Sequence, residues 1–527
     1  MVSNRFGTDG PPERVTLGLC GLERMLPSAT TPDHEVAVIG AGFSGIGAAI
    51  RLDHAGFGDY VVLERGDGIG GAWHWNTYPG IQVDIPAFSY QFSFEQSPNW
   101  SRVYASGEEL KAYAEHCVRK YDLRSRIRLN TKVEGAAFDE DRHLWRLTTA
   151  AGEELSARFV VGATGVFTQP KPPDIPGLAD FAGRVMHTAR WDHDLDLRGK
   201  RVAVIGTGAS AVQVIPSIAP LVRQLVVFQR TPIWCLPKPD AALDGPARTV
   251  LRRLPGAAPA ARMASQAYVE ANFPLPAHFH GVVPLSAVGE RAGRRHLARQ
   301  VRDPEVRDKL TPRYALGCKR PGFSNDYLRT FNRDNVDLET APIELITPAG
   351  VRTADGGEHP ADVLVLATGF KVFEPGNMPA FPISGAGGVD LERWWDANRY
   401  QAYEGVSVPG FPNLFSILGP YGYNGSSYFQ LIETQMRHIV RCLNRARSVE
   451  ATLVEVTPEA NERYFKAMLA RRHRQIFFQD GCAAANSYYF DRHGDVPIRP
   501  ATSIEAAWRS ARFKLDDYRF ARTPAPA

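Results

Sequence analysis

Two residues of opposite charge stand at matching places in this chain. Glu64 closes the apolar run DYVVLERG and Arg230 closes VVFQRTP. Each lies 24 residues past the first glycine of a glycine-rich loop, Gly40 for Glu64 and Gly206 for Arg230. A carboxylate at that place accepts hydrogen bonds from a ribose 2'-hydroxyl and repels a 2'-phosphate. A guanidinium forks onto such a phosphate, and a charge-assisted bond of that kind is worth about 1.5–3 kcal/mol. The pair predicts two nucleotide sites with opposite preferences.

The elements that must position them are strand–loop–helix units. In HEVAVIGAGFSGIGAAIRLDHAG, residues 34–56, Val36, Val38 and Ile39 form an apolar strand. The loop Gly40-Ala41-Gly42-Phe43-Ser44-Gly45 then opens a helix rich in small residues. Gly40 makes the tight turn, Gly42 admits a pyrophosphate, and Gly45 lets helix and strand close up. In KRVAVIGTGASAVQVIPSIAP, residues 200–220, the run Gly206-Thr207-Gly208-Ala209-Ser210-Ala211 repeats the plan, with alanine at the third glycine position. A lone motif of this type is weak evidence, since a ligand-free tight turn or a solvated arginine gives the same letters. The strand, helix and distal charge together favour two dinucleotides: FAD in the first site and NADPH in the second, with Thr231 adding a hydroxyl. The loop alone leaves NAD open as a ligand of the first site.

The rest of the chain sets the frame. With 527 residues, 44% of them hydrophobic and 22% charged, two or three domains of an α/β protein are expected. A net charge of +4 argues against a dedicated nucleic-acid surface. The six cysteines (Cys20, Cys117, Cys235, Cys318, Cys442, Cys482) show no CxxC or CxxxxC spacing. Reduced thiols, no zinc or other metal site and no redox-active disulfide are therefore expected. No apolar run spans a bilayer and the polar start MVSNRFGTDGPPER is no signal peptide, so a cytoplasmic protein is expected. Two stretches, FVVGATGVF (159–167) and DVLVLATGF (362–370), read as crossing points between domains. They divide the chain into an FAD domain (1–166 and 367–527) and an NADPH domain inserted within it (167–235 and 318–366). An Arg-, Ala- and Pro-rich helical insertion (236–317) sits inside the latter, its arginines reading as a solvated face. A buried helix face is expected over 428–443, and the loop at Gly419 and Pro420 is placed to approach a flavin.

Two such sites imply hydride transfer from NADPH to flavin. What the reduced flavin then does is told by residues 181–192, FAGRVMHTARWD, which match the fingerprint FxGxxxHTxxW(P/D) at Phe181, Gly183, His187, Thr188, Trp191 and Asp192. On this motif, lying between the two glycine loops, the chain resembles the type I Baeyer–Villiger monooxygenases over roughly residues 34–500. Flavin-containing monooxygenases, which oxidise nitrogen and sulfur, carry a looser version.

The resemblance implies a reaction: reduced FAD takes up oxygen as a C4a-peroxide, which attacks a ketone to give an ester or lactone while NADP+ stays bound. It further implies site residues. In GCKRPGFSNDYLRTFNRDNV (317–336), Arg320 matches the family's active-site arginine and Lys319 a contact to the NADPH phosphate. In GIGGAWHWNTYPGIQVDIPAFSY (68–90), Asp84 matches the acid that holds the arginine and Tyr90 a tyrosine near the flavin. Arg65, Gly71, Ala72, Trp73, Trp75 and Val133 complete the expected cofactor lining. His187 and Trp191 are expected to anchor a hinge, since the chemistry requires no base there. Gln82 and Val83 depart from the family pattern before Asp84. So do the missing tryptophan in residues 481–500 and the ending Arg499-Pro500, which leave the ketone open. A sulfide or amine oxygenase and, less directly, a flavin protein that passes electrons or senses redox state remain as alternatives.

Overall fold

In a computed structural model, residues 31–282, 286–482 and 485–523 are described. The polar start and Cys20 lie outside them. Two sheets organise the chain. The first has the order 383–384, 133–139, 144–149, 154–162, 34–39, 60–63, 127–128, with Leu414–Ser416 also paired to Glu154–Gly162. Its pairings are parallel except the two made by Leu144–Thr149. The second sheet is wholly parallel, ordered 336–339, 224–228, 201–205, 363–366, 184–187. All its strands fall between Arg184 and Leu366, while the first sheet uses strands before Gly162 and after Ile383. The chain therefore leaves one mixed sheet, builds a parallel one and returns.

Both central strands are apolar on two faces, as a sheet covered on both sides demands. Val36 and Val38 are fully buried, as is Val204. The helix Phe43–His54 packs on the long helix Tyr428–Ser448, whose Ile432, Met436, Ile439 and Leu443 enter the same core. That helix runs five residues past the expected 428–443.

Between the two halves of the second sheet lie the helices Gly245–Arg253, Ala257–Asn272, Pro274–His278, Ser286–Gln300 and Pro304–Lys309. The base of this excursion is closed by a two-residue parallel pair, Cys235 opposite Gly322 and Leu236 opposite Phe323. That closure brings the segment around Lys319 back to the end of the Gln224–Phe228 strand. The expectation of reduced thiols throughout is overturned: Cys318 and Cys482 form a disulfide, their Cα atoms 5.3 Å apart. The sulfurs meet because the closed excursion lays residue 318 against the C-terminal loop, a proximity that a separation of 164 residues conceals. Cys117, Cys235 and Cys442 are buried free thiols. Among the described residues no helix is long and apolar enough to cross a membrane, and no group of His, Cys, Asp and Glu is placed to hold a metal ion.

Candidate active site

The first glycine loop leaves the strand His34–Ile39 at Gly40, whose φ of +110° is open to glycine at little cost. A side chain there would also meet the Ala163 carbonyl at 2.8 Å. At the second loop Gly206 repeats both features, with φ +111° and the Ala367 carbonyl 2.6 Å from a built Cβ. Each Ala-Thr-Gly stretch is thus the neighbouring strand's end, packed on its own glycine loop. Helices begin at Gly42 and Gly208 with no side-chain cap, leaving their first amide groups pointed out of the loop. A Cβ on Gly208 would meet no protein atom within 4 Å, and one on Gly42 would meet only Gly71. Space is kept in front of both helices, which fits a pyrophosphate at each.

The third positions differ. A Cβ at Gly45 would lie 1.8 Å from the Gly40 carbonyl oxygen, so only glycine fits. Ala211 is accommodated and buried. Ser44 Oγ is hydrogen-bonded to the Tyr428 hydroxyl at 2.8 Å. Thr207 Oγ1 donates to the Thr231 carbonyl at 3.1 Å, so Thr231 closes its loop through backbone. Ala209 and Ser210 begin the second helix.

Glu64 is buried, and its carboxylate accepts the Ala41 N–H at 2.7 Å and the Gly66 N–H at 2.8 Å. Each oxygen keeps capacity for a further bond. Around it, Arg65 donates to the Thr168 carbonyl and Trp75 packs against Gly66. Val133 opens its strand two residues beyond Thr131, whose amide donates to the Glu64 carbonyl. Gly71 caps the short helix holding Ala72, Trp73 and Trp75. Trp73 Nε1 donates to the Tyr90 hydroxyl at 3.3 Å, and burial raises the Tyr90 phenol above its usual range. Thr164, Gly165, Gly419 and Pro420 line one cleft, of about 630 Å³ including solvent-open space.

Arg230 is exposed beyond the strand Gln224–Phe228. With the Asn486 amide turned so that its oxygen faces the guanidinium, Arg230 Nε donates to it at 3.1 Å and Nη2 donates as well. Asn486 has a φ of +49°, a left-handed conformation that asparagine tolerates. Lys319 lies beside this arginine, its ammonium 5.5 Å from the Tyr314 ring centre. Burial, and then the charge of Arg230, push the lysine down to about 8. Among the described residues neither cation has a carboxylate partner. Two like charges held together without an acid leave a place for an anion.

Arg320 and Asp84 form a two-pronged ion pair: Arg320 Nη2 donates to Asp84 Oδ1 at 3.0 Å and Nε donates to Oδ2. The side chains keep 21% and 29% exposure, so the pair faces a cleft rather than the core. Burial opposes ionisation of Asp84, but the Arg320 charge outweighs it and holds the carboxyl below its usual range. Burial likewise disfavours the charged guanidinium, and Asp84 reverses this, so Arg320 stays protonated. Asp84 hangs on a loop seated against the second unit. There Tyr78 donates to Gln213 Oε1 at 3.0 Å, and Gln213 Nε2 donates to the Gln82 carbonyl at 2.9 Å.

Several neighbours escaped the sequence reading. Lys238 donates to Gln82 Oε1 at 2.6 Å, lies 4.7 Å from the Tyr104 ring centre and adds positive charge near Asp84. The departure at Gln82 is explained: a lysine from the excursion meets it. Phe273 lies 5.6 Å from the Arg320 guanidinium and 6.0 Å from Tyr489. Tyr423 is pushed up to about 12 by burial, which Arg320 partly offsets. None of these positions carries a motif. Arg499 proves to be structural: it is 2% exposed and donates to the carbonyls of Tyr421 (2.9 Å) and Glu404 (2.7 Å). Its charge pairs with the buried Glu404 carboxylate.

The fingerprint residues wrap the edge strand Arg184–His187. Phe181 enters a core with Ile205 and Leu364, and Gly183 packs on the Asp362 carbonyl. His187 Nδ1 accepts the Ala189 N–H at 3.0 Å, and the Gly369 backbone bonds to the buried ring as well. Burial lowers this histidine to about 4, so it is neutral at physiological pH. The Thr188 hydroxyl is buried without a partner among the described residues. Trp191 packs on the core of the second sheet, and Asp192 accepts from Arg184 at 2.6 Å.

Comparison with known proteins agrees with this geometry. Residues 37–243 match the family model described as pyridine nucleotide-disulphide oxidoreductase, a span that excludes Cys318 and Cys482. A Baeyer-Villiger monooxygenase of Streptomyces coelicolor is 38% identical over 496 residues, covering 93% of each chain. One from Pseudomonas aeruginosa is 38% identical over 449 residues, covering 85% of this chain and 84% of its own. The chain belongs to the Baeyer–Villiger family of flavin-dependent monooxygenases. The crystal structure of OTEMO complexed with FAD and NADP superposes with a TM-score of 0.83 at 28% identity, over 93% of this chain and all of that one. The α/β fold with two Rossmann-like units is that of these family structures, and monooxygenase activity is the family's general chemistry.

Proposed function

We propose that this Baeyer–Villiger family member uses FAD and NADPH to convert a ketone and oxygen into an ester or lactone, with NADP+ and water as the other products. The observation that carries this reading is the Asp84-locked Arg320, still partly exposed, next to a pair of cations with no carboxylate partner among the described residues. The residues fit both cofactors. The cramped loop at Gly40–Gly45, with Glu64 fixed at the strand end, suits FAD; Arg230 and Lys319 suit the 2'-phosphate of NADPH. FAD, reduced by NADPH, supplies the activation of oxygen.

The chain supplies position and charge. Asp84 takes two of the five guanidinium donors of Arg320, fixing the plane of the group and leaving the others for substrate. A fixed positive charge stabilises the negative oxygen that develops when a ketone carbonyl is attacked. Arginine keeps that charge at any working pH. Phe273, Tyr489 and Tyr423 lie around the guanidinium and give the cleft an aromatic wall. His187, neutral and bonded to its own turn, serves as an anchor of the connecting strand and does not act as a base.

The test is Arg320→Ala, assayed with a ketone and a thioether supplied together. Ester formation is expected to be lost while the flavin stays bound. Ester formed at the wild-type rate would remove Arg320 from the reaction, and wild-type protein that oxidises only the thioether would overturn the ketone reading.

A further inference from the structure

We propose that the Cys318–Cys482 disulfide is a reversible oxidation site whose state sets how tightly the chain holds NADPH. This rests on the reading of Arg230 and Lys319 as the 2'-phosphate site. The bond joins two segments that each serve that site and the Arg320 cleft. Cys318 directly precedes Lys319 and Arg320. Cys482 precedes Asn486, which accepts from Arg230, and Tyr488 and Tyr489, which lie within the field of Arg320. One covalent link thus fixes the distance between the two halves of the phosphate site.

The link can break without unfolding the region. Both cysteines sit in a core with Trp234, Phe273, Tyr314, Ile476 and Phe477, and the Ala315 amide donates to the Gly481 carbonyl at 3.0 Å. Those contacts persist when the sulfurs separate. What is lost is the tether on residue 486, so Asn486 is no longer held against Arg230. The ordering of that loop then falls to the ligand, which binds more weakly. Neither cysteine touches the Gly40–Gly45 loop or Glu64, so FAD binding is left alone.

The reagents must be small, because Cys318 is 0% and Cys482 5% exposed. Hydrogen peroxide meets this requirement. One sulfur, as the thiolate, attacks a peroxide oxygen, the O–O bond breaks, and a sulfenic acid forms while the departing hydroxide takes up the proton the thiol had released and leaves as water. The second sulfur then attacks the sulfenyl sulfur, the S–O bond breaks, and a second water leaves. The cysteines give up two electrons in all. A small dithiol returns two electrons and two protons and becomes a disulfide itself.

The experiment uses the FAD-loaded protein, treated with hydrogen peroxide or with dithiothreitol, the reagent then being removed. A non-reducing peptide map is expected to link Cys318 to Cys482 in the oxidised sample alone. NADP+ titration, followed by the flavin absorbance, is expected to give a Kd on the order of fivefold to tenfold weaker in the reduced sample. The double variant Cys318→Ser/Cys482→Ser is expected to hold the weaker value in both treatments; should it fail to fold, reduced and alkylated wild type takes its place. No linked peptide after peroxide, or one NADP+ affinity in both states, overturns the proposal. Arg230→Ala separates the two readings: equal weakening of NADP+ and NAD+ fells the phosphate assignment itself. Selective loss of NADP+ together with a redox-independent affinity fells only the oxidation site.

Discussion

In the unit around Gly40, the charge at the strand end is already occupied, since the Glu64 carboxylate takes amide groups from Ala41 and Gly66. In the unit around Gly206, the corresponding Arg230 is exposed and, among the described residues, bonds to an amide side chain from a loop more than 250 residues on, with Lys319 beside it. The first unit is also the tighter, with no room for a methyl group at Gly45, whereas the second accepts Ala211. One unit is complete by itself and suits a cofactor that stays. The other is electrostatically incomplete until an anion arrives, which suits a reductant that is exchanged. The same local plan thus yields a resident and a visiting ligand through what surrounds it.

The largest effect that would break this comparison is expected at the tight loop. Gly45→Ala should destabilise the first unit by about 3 kcal/mol or more and strip the flavin from what remains folded, while Ala211→Gly should cost only about 1 kcal/mol. Thermal unfolding and the flavin-to-protein absorbance ratio measure both. Similar losses at the two sites would end the claim that the first unit is tighter.

Next in size, Arg230→Ala should raise the Kd for NADPH on the order of tenfold to a hundredfold, with NADH little changed and flavin content intact. Titration of the variant with each nucleotide decides it.

The smallest effect is in pH. Lys319 is held at about 8, so its charge is present below that value and lost as pH rises through it. NADPH affinity should therefore fall above pH 8, by at most about tenfold per unit, while NADH affinity stays flat. Lys319→Met should abolish the slope; a slope that persists would point to another group.

The parts that were legible before the structure are those written within one strand, turn and helix. Gly40, Gly45 and Glu64, like Gly206 and Arg230, lie in short segments whose spacing is set by local geometry. The Ala-Thr-Gly stretches were recognised as a pair, yet their packing on the glycine loops emerges only from the strand order. Lys238, Phe273, Tyr423 and Asn486 come from the helical excursion and the irregular C-terminal loops, where no periodicity records which side chains converge. Arg499 read as a change in the substrate pocket, because its burial against Glu404 depends on contacts almost a hundred residues apart. The disulfide was missed for the same reason: the spacing rules for cysteine pairs are local, and this pair is not.

The two-residue pairing of Cys235–Leu236 with Gly322–Phe323 has a bearing on how such enzymes diversify. It clasps the helical excursion at its base, and beyond it the helices are seated on the rest of the protein: Val269 enters the core of the first unit, Arg262 donates to the Gln91 carbonyl at 2.8 Å and His278 is bonded to the Asn424 carbonyl at 2.7 Å. A change in the helices that carry Phe273 toward the cleft is therefore felt in that core and in the cluster that Phe273 shares with Cys318 and Cys482. Pocket shape and the placing of the Lys319–Arg320 segment are thus coupled in this architecture, because one side chain, Phe273, packs on both.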